Sequence, residues 1–410
     1  MVILTFLFRM RIAVLVLLAL ATAGAGFVAF HGKSVPVGAL FLSSASLLIG
    51  AIVAFVHLRH AGLAVLTALA PLPGMIAAGA FAVQSGLSVS GLLAVYGLSY
   101  LTASCLGGDI WRRILDAAEP AAAAREALAR IIVPVVLGIL VAAALIVGWL
   151  FRDARMLGLG GACELGAGAL SALVFVPFAS AVMSFREGFF VAANRARERR
   201  EGLLRLATLV VEPRWGMSLS GIAVVFATLG WFGAEPVLLH SALLAQPALW
   251  GASALLIFLV SIAAGRDWRN ALATVLALAA LTLLGLFLWA RSTGHLSTPT
   301  FIELAIVATA ALLPILMLVV WSRTYRRSGD TLAVARLRAI EDLGLAPWFG
   351  VAGAGAAALP WVLLHGSVAM LSAMFLLAGA AGLLAMPALA TALDSLVPRR
   401  RSVDELYGRG

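Results

Sequence analysis

The sequence predicts an all-α membrane protein, a bundle of twelve transmembrane helices in two pseudo-symmetric halves of six. Three observations predict this fold class: the composition, the lengths of the apolar stretches, and a plan that recurs in both halves. Of the 410 residues, 63% are hydrophobic and only 12% are charged, whereas soluble domains carry about 25% charged residues. Apolar stretches of about 20 residues can cross a membrane, and they must be helical because lipid cannot satisfy open backbone groups.

Twelve stretches are long and apolar enough to cross the hydrocarbon core. They are 12–30, 36–56, 62–83, 88–106, 129–150, 156–184, 216–233, 238–264, 271–290, 299–322, 346–365 and 367–393. The connections between them are too short to form a soluble domain. The chain therefore consists almost entirely of its membrane-embedded part.

The second half of the chain repeats the plan of the first. The segment 58–70, which joins the second and third stretches, has a counterpart about 209 residues later at 267–279. Pro177 in the sixth stretch likewise corresponds to Pro387 in the twelfth. Duplicated helical halves are common in membrane transporters, where the substrate path often runs between the two repeats.

This plan divides the chain into a first six-span repeat, a basic amphipathic cytoplasmic linker, a second repeat and a basic cytoplasmic tail. The four segments are 1–185, 186–213, 214–397 and 398–410. Four linker arginines are expected to contact lipid headgroups, unless the linker is simply a solvated connector without a specific partner. They are Arg195, Arg197, Arg199 and Arg200.

A basic segment follows the fourth and the tenth span. The segments are 107–128 and 323–345, and both have a composition typical of helices. Helices of this kind lie at the level of the lipid headgroups, where basic side chains meet phosphate. We therefore expect a separate interfacial helix in each half.

The distribution of basic residues predicts the orientation. Of the 29 basic residues, Lys33 is a lysine and all the others are arginines. When the N-terminus is placed inside, only Lys33, Arg152, Arg155 and Arg291 fall outside. This bias predicts that both termini are cytoplasmic. The preference for arginine over lysine and the abundance of alanine suggest a GC-rich bacterial genome, so the expected location is a bacterial inner membrane. The net charge of +10 is therefore explained by basic residues on the cytoplasmic side of the membrane, where they meet anionic lipids, and does not indicate nucleic-acid binding.

Neither a metal site, a cofactor site nor an enzyme active site is expected. Cys105 and Cys163 lie in or near spans and suggest packing rather than a disulfide or a metal site. His57 and His60 share a turn that contains no acid or cysteine. The motifs of P-loop proteins, serine hydrolases and zinc proteases do not occur.

Several short segments match one family in their order and spacing. Basic residues open the first span at 8–11, a short basic turn follows the second span at 55–60, and the sixth span at 157–177 has a glycine-rich start and a proline near its end. This plan resembles the membrane core of the resistance–nodulation–division (RND) superfamily, particularly its MMPL-like branch. The resemblance implies export of a lipid or another hydrophobic small molecule.

The chain departs from the family pattern in two places. RND proteins carry large extracytoplasmic domains after the first and the seventh span, but here those gaps are 31–35 and about 234–237. A partner protein would have to supply such a domain. The family also places a proton-coupling aspartate in the fourth span, often before a tyrosine, and the matching residues are Val95 and Tyr96. The usual proton-relay carboxylate is therefore missing.

Two glutamates are candidates for an ion or substrate path. Glu164 lies in the sixth span about 12 Å along the helix, where a carboxylate is costly and marks a functional site by default. The alternative is a structural glutamate at a contact between small residues. Glu303 lies near the outer end of the tenth span, and its alternative is an interfacial residue that reaches water.

A polar patch in the fourth span provides three further candidates for lining a path. They are Tyr96, Ser99 and Tyr100. The alternative is that their hydroxyls are buried and bonded to helix carbonyls.

The leading functional hypothesis is an RND-like transporter core for a lipid or other hydrophobic molecule, with membrane lipids as surroundings. The alternative is a transport-inactive RND-like subunit that scaffolds or assists a larger membrane complex. The missing outer domains and the missing carboxylate favour the alternative.

Overall fold

The structure, a computed structural model, describes residues 2–31, 37–77, 88–116, 119–150, 155–183, 202, 205–240, 247–293 and 298–396. Within these ranges the chain is helical and contains no β-strand. The predicted all-α class is confirmed. The tail 398–410 and most of the linker 186–213 lie outside the described residues.

The helices of the first half extend over residues 2–182. They are α1 (Val2–Arg9), α2 (Arg11–Phe30), α3 (Val37–Leu58), α4 (Ala61–Leu69), α5 (Val89–Asp116), α6 (Pro120–Leu150) and α7 (Arg155–Val182). Those of the second half are α8 (Pro213–His240), α9 (Pro247–Gly265), α10 (Trp268–Thr293), α11 (Thr298–Arg327), α12 (Leu332–Leu343), α13 (Ala346–Ala358), α14 (Ser367–Ala380) and α15 (Met386–Leu396). A 3₁₀ turn, Leu359–Leu363, follows α13, and a π turn, Ala381–Ala385, joins α14 to α15.

Eleven helices among the described residues are long and apolar enough to cross a membrane. Each overlaps one of the predicted stretches, with α14 and α15 forming a single span, Val368–Leu396. The predicted gap at about 234–237 is wrong, because α8 continues through it to His240 and α9 begins at Pro247. The remaining prediction, 62–83, is described only as far as Ala77, where a shorter apolar helix covers Ala61–Ala77. The chain is therefore a multi-pass membrane protein.

Helices α5 and α11 form the centre of the bundle. In each, 89% of the most apolar window is buried within the protein, whereas for α2 this share is 0%. The two helices pack against each other, and each also packs against a helix of the opposite half, α5 against α13 and α11 against α6. Contacts between the halves therefore form part of the core.

The same local structure occurs after α3 and after α9. Arg59 and Arg266 both have φ 55°, in the left-handed region that non-glycine residues seldom occupy. In both places the next residue caps the start of the following helix with its side chain. His60 Nδ1 accepts a hydrogen bond from the Leu63 N–H at 3.3 Å, and Asp267 Oδ1 accepts one from the Arg269 N–H at 3.2 Å. This geometry pairs Arg59 with Arg266, whereas the register expected from the sequence pairs Arg59 with Trp268.

The two expected interfacial helices differ. In the first half α5 runs on to Asp116 and α6 already begins at Pro120, so no separate helix forms in the described part of 107–128. In the second half α11 ends at Arg327, and Gly329 turns the chain with φ 98° into α12. Glycine adopts this conformation without steric cost, which allows the separate helix predicted there.

Candidate functional site

Glu303 joins the two central helices. Its side chain is 3% exposed, and its Oε1 accepts hydrogen bonds from Ser88 at 2.5 Å and from Ser90. The Gly91 N–H holds the Ser88 hydroxyl in place at 3.1 Å. A side chain that reaches water at the membrane surface would be exposed, and Glu303 is not. Glu303 is a buried carboxylate between the halves.

Glu164 lies on the face of α7 that contacts α5 and the end of α4. It is 2% exposed. One turn further along, Gly168 fits against α5 so closely that a Cβ there would lie 2.6 Å from Ser99 Oγ and 3.2 Å from Val95. Ser171, on the same face, donates at 2.7 Å to the carbonyl that follows α4. Glu164 is therefore one helical turn from the contact with Val95, the position where the RND pattern has its carboxylate.

Both glutamates belong to helices that pack against α5. Glu303 contacts the first turn of α5, and the face of α7 that carries Glu164 contacts α5 at Val95. Since α5, α7 and α11 have the same predicted direction through the membrane, both carboxylates lie toward its predicted outer side, although they belong to opposite halves of the chain. The structure therefore places an acidic residue on two sides of α5, although α5 itself has none at this depth.

The three hydroxyls of the fourth span are buried and bonded to the backbone. Tyr96 donates to a carbonyl of α4 at 3.0 Å, Ser99 to a carbonyl within α5 at 2.9 Å, and Tyr100 to a carbonyl of α3 at 2.6 Å. These bonds correspond to the alternative interpretation of the patch. In this conformation the two tyrosine hydroxyls link α5 to α4 and α3, whereas the Ser99 bond stays within α5.

Tyr100 also occupies a slot between two glycines of opposite halves. A Cβ added to Gly50 of α3 would lie 3.2 Å from the Tyr100 ring, and one added to Gly353 of α13 would overlap the ring. The absence of side chains at these two positions allows α13 to approach α5 closely.

Ion pairs connect the predicted cytoplasmic ends of the halves. Asp342 of α12 contacts Arg112 at 3.3 Å and Arg130 at 3.9 Å, and it accepts a hydrogen bond from Tyr325. Asp109 pairs with Arg112 on the same helix. These acids were not singled out from the sequence, although an acid beside several arginines in so apolar a chain is a signal that could have found them.

Two equivalent hydrogen bonds cross between the halves. Trp149 Nε1 of α6 donates to Ser253 Oγ of α9 at 2.9 Å. Trp361 Nε1, in the turn after α13, donates to Ser46 Oγ of α3 at 3.1 Å. Each half therefore contributes one indole and one hydroxyl.

Some expected features cannot be located. Arg195, Arg197, Arg199 and Arg200 lie outside the described residues. Among the residues that are described, no group of three metal-ligating side chains is present.

The fold is similar to that of SecDF in solved structures. A crystal structure of SecDF in a super-membrane-facing form matches 88% of this chain with a TM-score of 0.58 and 15% sequence identity. A crystal structure of SecDF from Thermus thermophilus, described as a translocon-associated membrane protein, matches 87% with a TM-score of 0.59 and 14% identity. The chain therefore has a SecDF-like fold.

This similarity has clear bounds. The match covers 62% of each SecDF chain, and at such low identity it establishes the fold alone. It gives no support to the MMPL-like branch. No family model and no curated protein sequence matches the chain.

Proposed function

We propose that this chain is the transmembrane core of an RND-like transporter for a lipid or another hydrophobic molecule. We place it in a bacterial inner membrane with both termini in the cytoplasm, following its charge bias. The observation that carries the proposal is the Glu303 carboxylate, buried where the two central helices meet. Intramembrane carboxylates are costly and occur mainly where ions or substrates pass.

The contact of Glu303 with α5 depends on its protonation state. An ionised carboxylate only accepts hydrogen bonds, whereas a protonated one also donates. Ser88 and Ser90 both donate to Oε1 in the present arrangement, so a proton on that oxygen would force a rearrangement. Because Glu303 and the serines belong to opposite halves, proton binding would shift one half against the other.

Glu164 is proposed as the second ionisable position. The family pattern expects an acid on α5 at Val95, and Glu164 approaches the same region from α7. A relay displaced from one helix to its neighbour would still place a carboxylate at membrane depth. Glu303 and Glu164 would then serve the two sides of α5.

The proposed transport movement is a rocking of two duplicated halves around the central pair of helices. The equivalent turns at Arg59 and Arg266 support the duplication. The paired bonds from Trp149 and Trp361 support it as well. In transporters built this way the substrate path runs between the repeats.

A reconstitution experiment tests the proposal. The protein is placed in liposomes that contain a fluorescently labelled phospholipid, and movement of the label between leaflets is followed with and without an imposed proton gradient. The wild type is expected to show gradient-dependent movement that Glu303→Gln abolishes and Glu164→Gln reduces. Glu119→Gln is the matched control, because Glu119 is exposed at a helix start.

Two results would count against this function. Gradient-dependent movement that survives Glu303→Gln would remove the coupling role of Glu303. Absence of movement in the wild type, together with a stoichiometric partner protein in its native mass spectrum, would favour an accessory subunit.

The accessory-subunit alternative rests on a specific observation. Only residues 31–36 separate α2 from α3, and only 241–246 separate α8 from α9. Neither connection has room for an outer domain. A partner that supplies this domain would be the expected companion of the chain under this alternative.

A further inference from the structure

Three arginines converge where α9 and α11 end. Arg266 directly follows α9, and Arg323 and Arg327 lie in the last turns of α11. Arg323 and Arg327 are one helical turn apart, so they share a face. Arg266 and Arg327 are both close enough to Arg323 for their charges to repel it.

Arg323 is fixed at the centre of this group. Its Nη1 donates to the carbonyls of Ala263 at 3.3 Å and Ala264 at 2.9 Å, in the last turn of α9. Its Nε is buried and has no hydrogen-bond partner among the described residues. The bonds from Nη1 therefore fix the guanidinium group beside the end of α9.

The acids near the group do not neutralise it. Asp267 is the adjacent acid, and its Oδ2 lies 3.9 Å from Arg326. Within the described part of the chain, none of the ion pairs involves Arg266, Arg323 or Arg327. Three positive charges are therefore left without an acidic partner.

The group lies at the edge of the membrane. The apolar windows of α9 and α11 end at Gly265 and Arg327, which places the guanidinium groups at headgroup level on the side predicted to be cytoplasmic. Leu255 and Leu259 of α9 are exposed about two to three helical turns deeper in the membrane than the arginines. A cationic cluster above an exposed apolar face matches the two parts of a phospholipid.

We propose that Arg266, Arg323 and Arg327 bind the phosphate of an anionic phospholipid whose acyl chains lie along α9. Guanidinium groups suit phosphate because their donors match its oxygens in pairs. Basic sites between transmembrane helices at the cytoplasmic side are known to hold anionic headgroups. This lipid would be a resident of the fold, and the proposal does not depend on transport.

The first half offers a matched control. Arg59 has the same φ as Arg266, follows a span in the same way, and is exposed. The backbone N–H of Arg59 donates to the Phe55 carbonyl at 2.8 Å, and the backbone N–H of Arg266 donates to the Ile262 carbonyl at 2.7 Å. The site therefore predicts that Arg266→Gln and Arg59→Gln behave differently although their backbones are alike.

Native mass spectrometry of the full-length protein tests the proposal, with phosphatidylglycerol or phosphatidylcholine added separately and inorganic phosphate then added as a competitor of phosphatidylglycerol. We expect the wild type to bind phosphatidylglycerol in preference to phosphatidylcholine. Arg266→Gln and Arg327→Gln should each weaken that binding about fivefold, and Arg59→Gln should leave it unchanged. Arg323→Gln removes a link to α9, so the other two variants carry the test.

Three outcomes would overturn the proposal. They are equal binding of the two phospholipids, an equal effect of Arg59→Gln, and displacement of phosphatidylglycerol by inorganic phosphate at the same concentration. The last outcome would identify a site for free phosphate. Unchanged melting temperatures of Arg266→Gln and Arg327→Gln would show that a loss of binding is not a loss of fold.

Discussion

Glu303 and its serine partners show how single residues join the two halves. Ser88 and Ser90 are 215 and 213 residues away from Glu303 in the chain. The sequence identified the glutamate, since an acid in an apolar stretch is conspicuous. It did not identify the serines, because their role depends on which helices become neighbours.

Removal of one serine donor tests the strength of this contact. Ser90→Ala leaves Glu303 with fewer hydrogen bonds in a buried place, which costs about 1–3 kcal/mol. A lower melting temperature in detergent is the expected result. Ser43→Ala is the control, because the exposed Ser43 hydroxyl donates only to its own helix, and an equal loss in both variants would contradict the account.

His60 gives the fold a pH dependence outside the spans. Burial lowers the pKa of His60 from 6.5, and its Nδ1 accepts the Leu63 N–H at the start of α4. Since the folded state favours the neutral ring, this stabilisation is present above pH 6.5 and is lost as the pH falls toward the lowered pKa.

The His60→Asn variant should keep the cap, because asparagine is a good N-cap residue, and should lose this pH dependence. Melting temperatures of the wild type and the variant between pH 5 and 8 measure the difference. Identical pH profiles would show that His60 does not contribute in this way.

At the scale of helices, the apolar stretches of the sequence predicted where the spans lie. They could not predict which spans pack against each other. Eleven stretches became helices of span length, because hydropathy alone decides what lies in lipid. The separate helix expected in 107–128 did not form in the described residues, since nothing there interrupts α5 before Asp116. In the second half, Gly329 supplies the break.

Glycine substitutions test the close approach of α5 and α13. Gly353→Ala places a methyl group against the Tyr100 ring, and overpacking of this kind costs about 1–3 kcal/mol. Gly138→Ala, on α6, meets no atom within 4 Å and should be neutral or slightly stabilising. Thermal unfolding of both variants in detergent distinguishes the two sites, and a neutral Gly353→Ala would contradict the contact.

At the scale of the whole molecule, the two halves contact each other through paired features. The indole bonds from Trp149 and Trp361 are the simplest of these to test. The sequence predicts that the plan of the first half recurs in the second. The partners Ser253 and Ser46 were not, because serines at span level look alike until the halves are placed together.

Replacement of both tryptophans should loosen the contact between the halves. Trp149→Phe and Trp361→Phe each lose one hydrogen bond of about 1 kcal/mol, and the double variant should lose the sum because the two bonds share no partner. Trp215→Phe changes an exposed ring and serves as the control. Melting temperatures check this, and strongly unequal losses at the two sites would contradict their equivalence.

The central claim is that Glu303 couples ion binding to movement of the halves. The most direct measurement is the rate of labelled phospholipid movement in liposomes with an imposed proton gradient, for the wild type and Glu303→Gln. The account predicts a gradient-dependent rate that disappears in the variant while Glu119→Gln keeps it. A gradient-dependent rate that is the same in Glu303→Gln would contradict it.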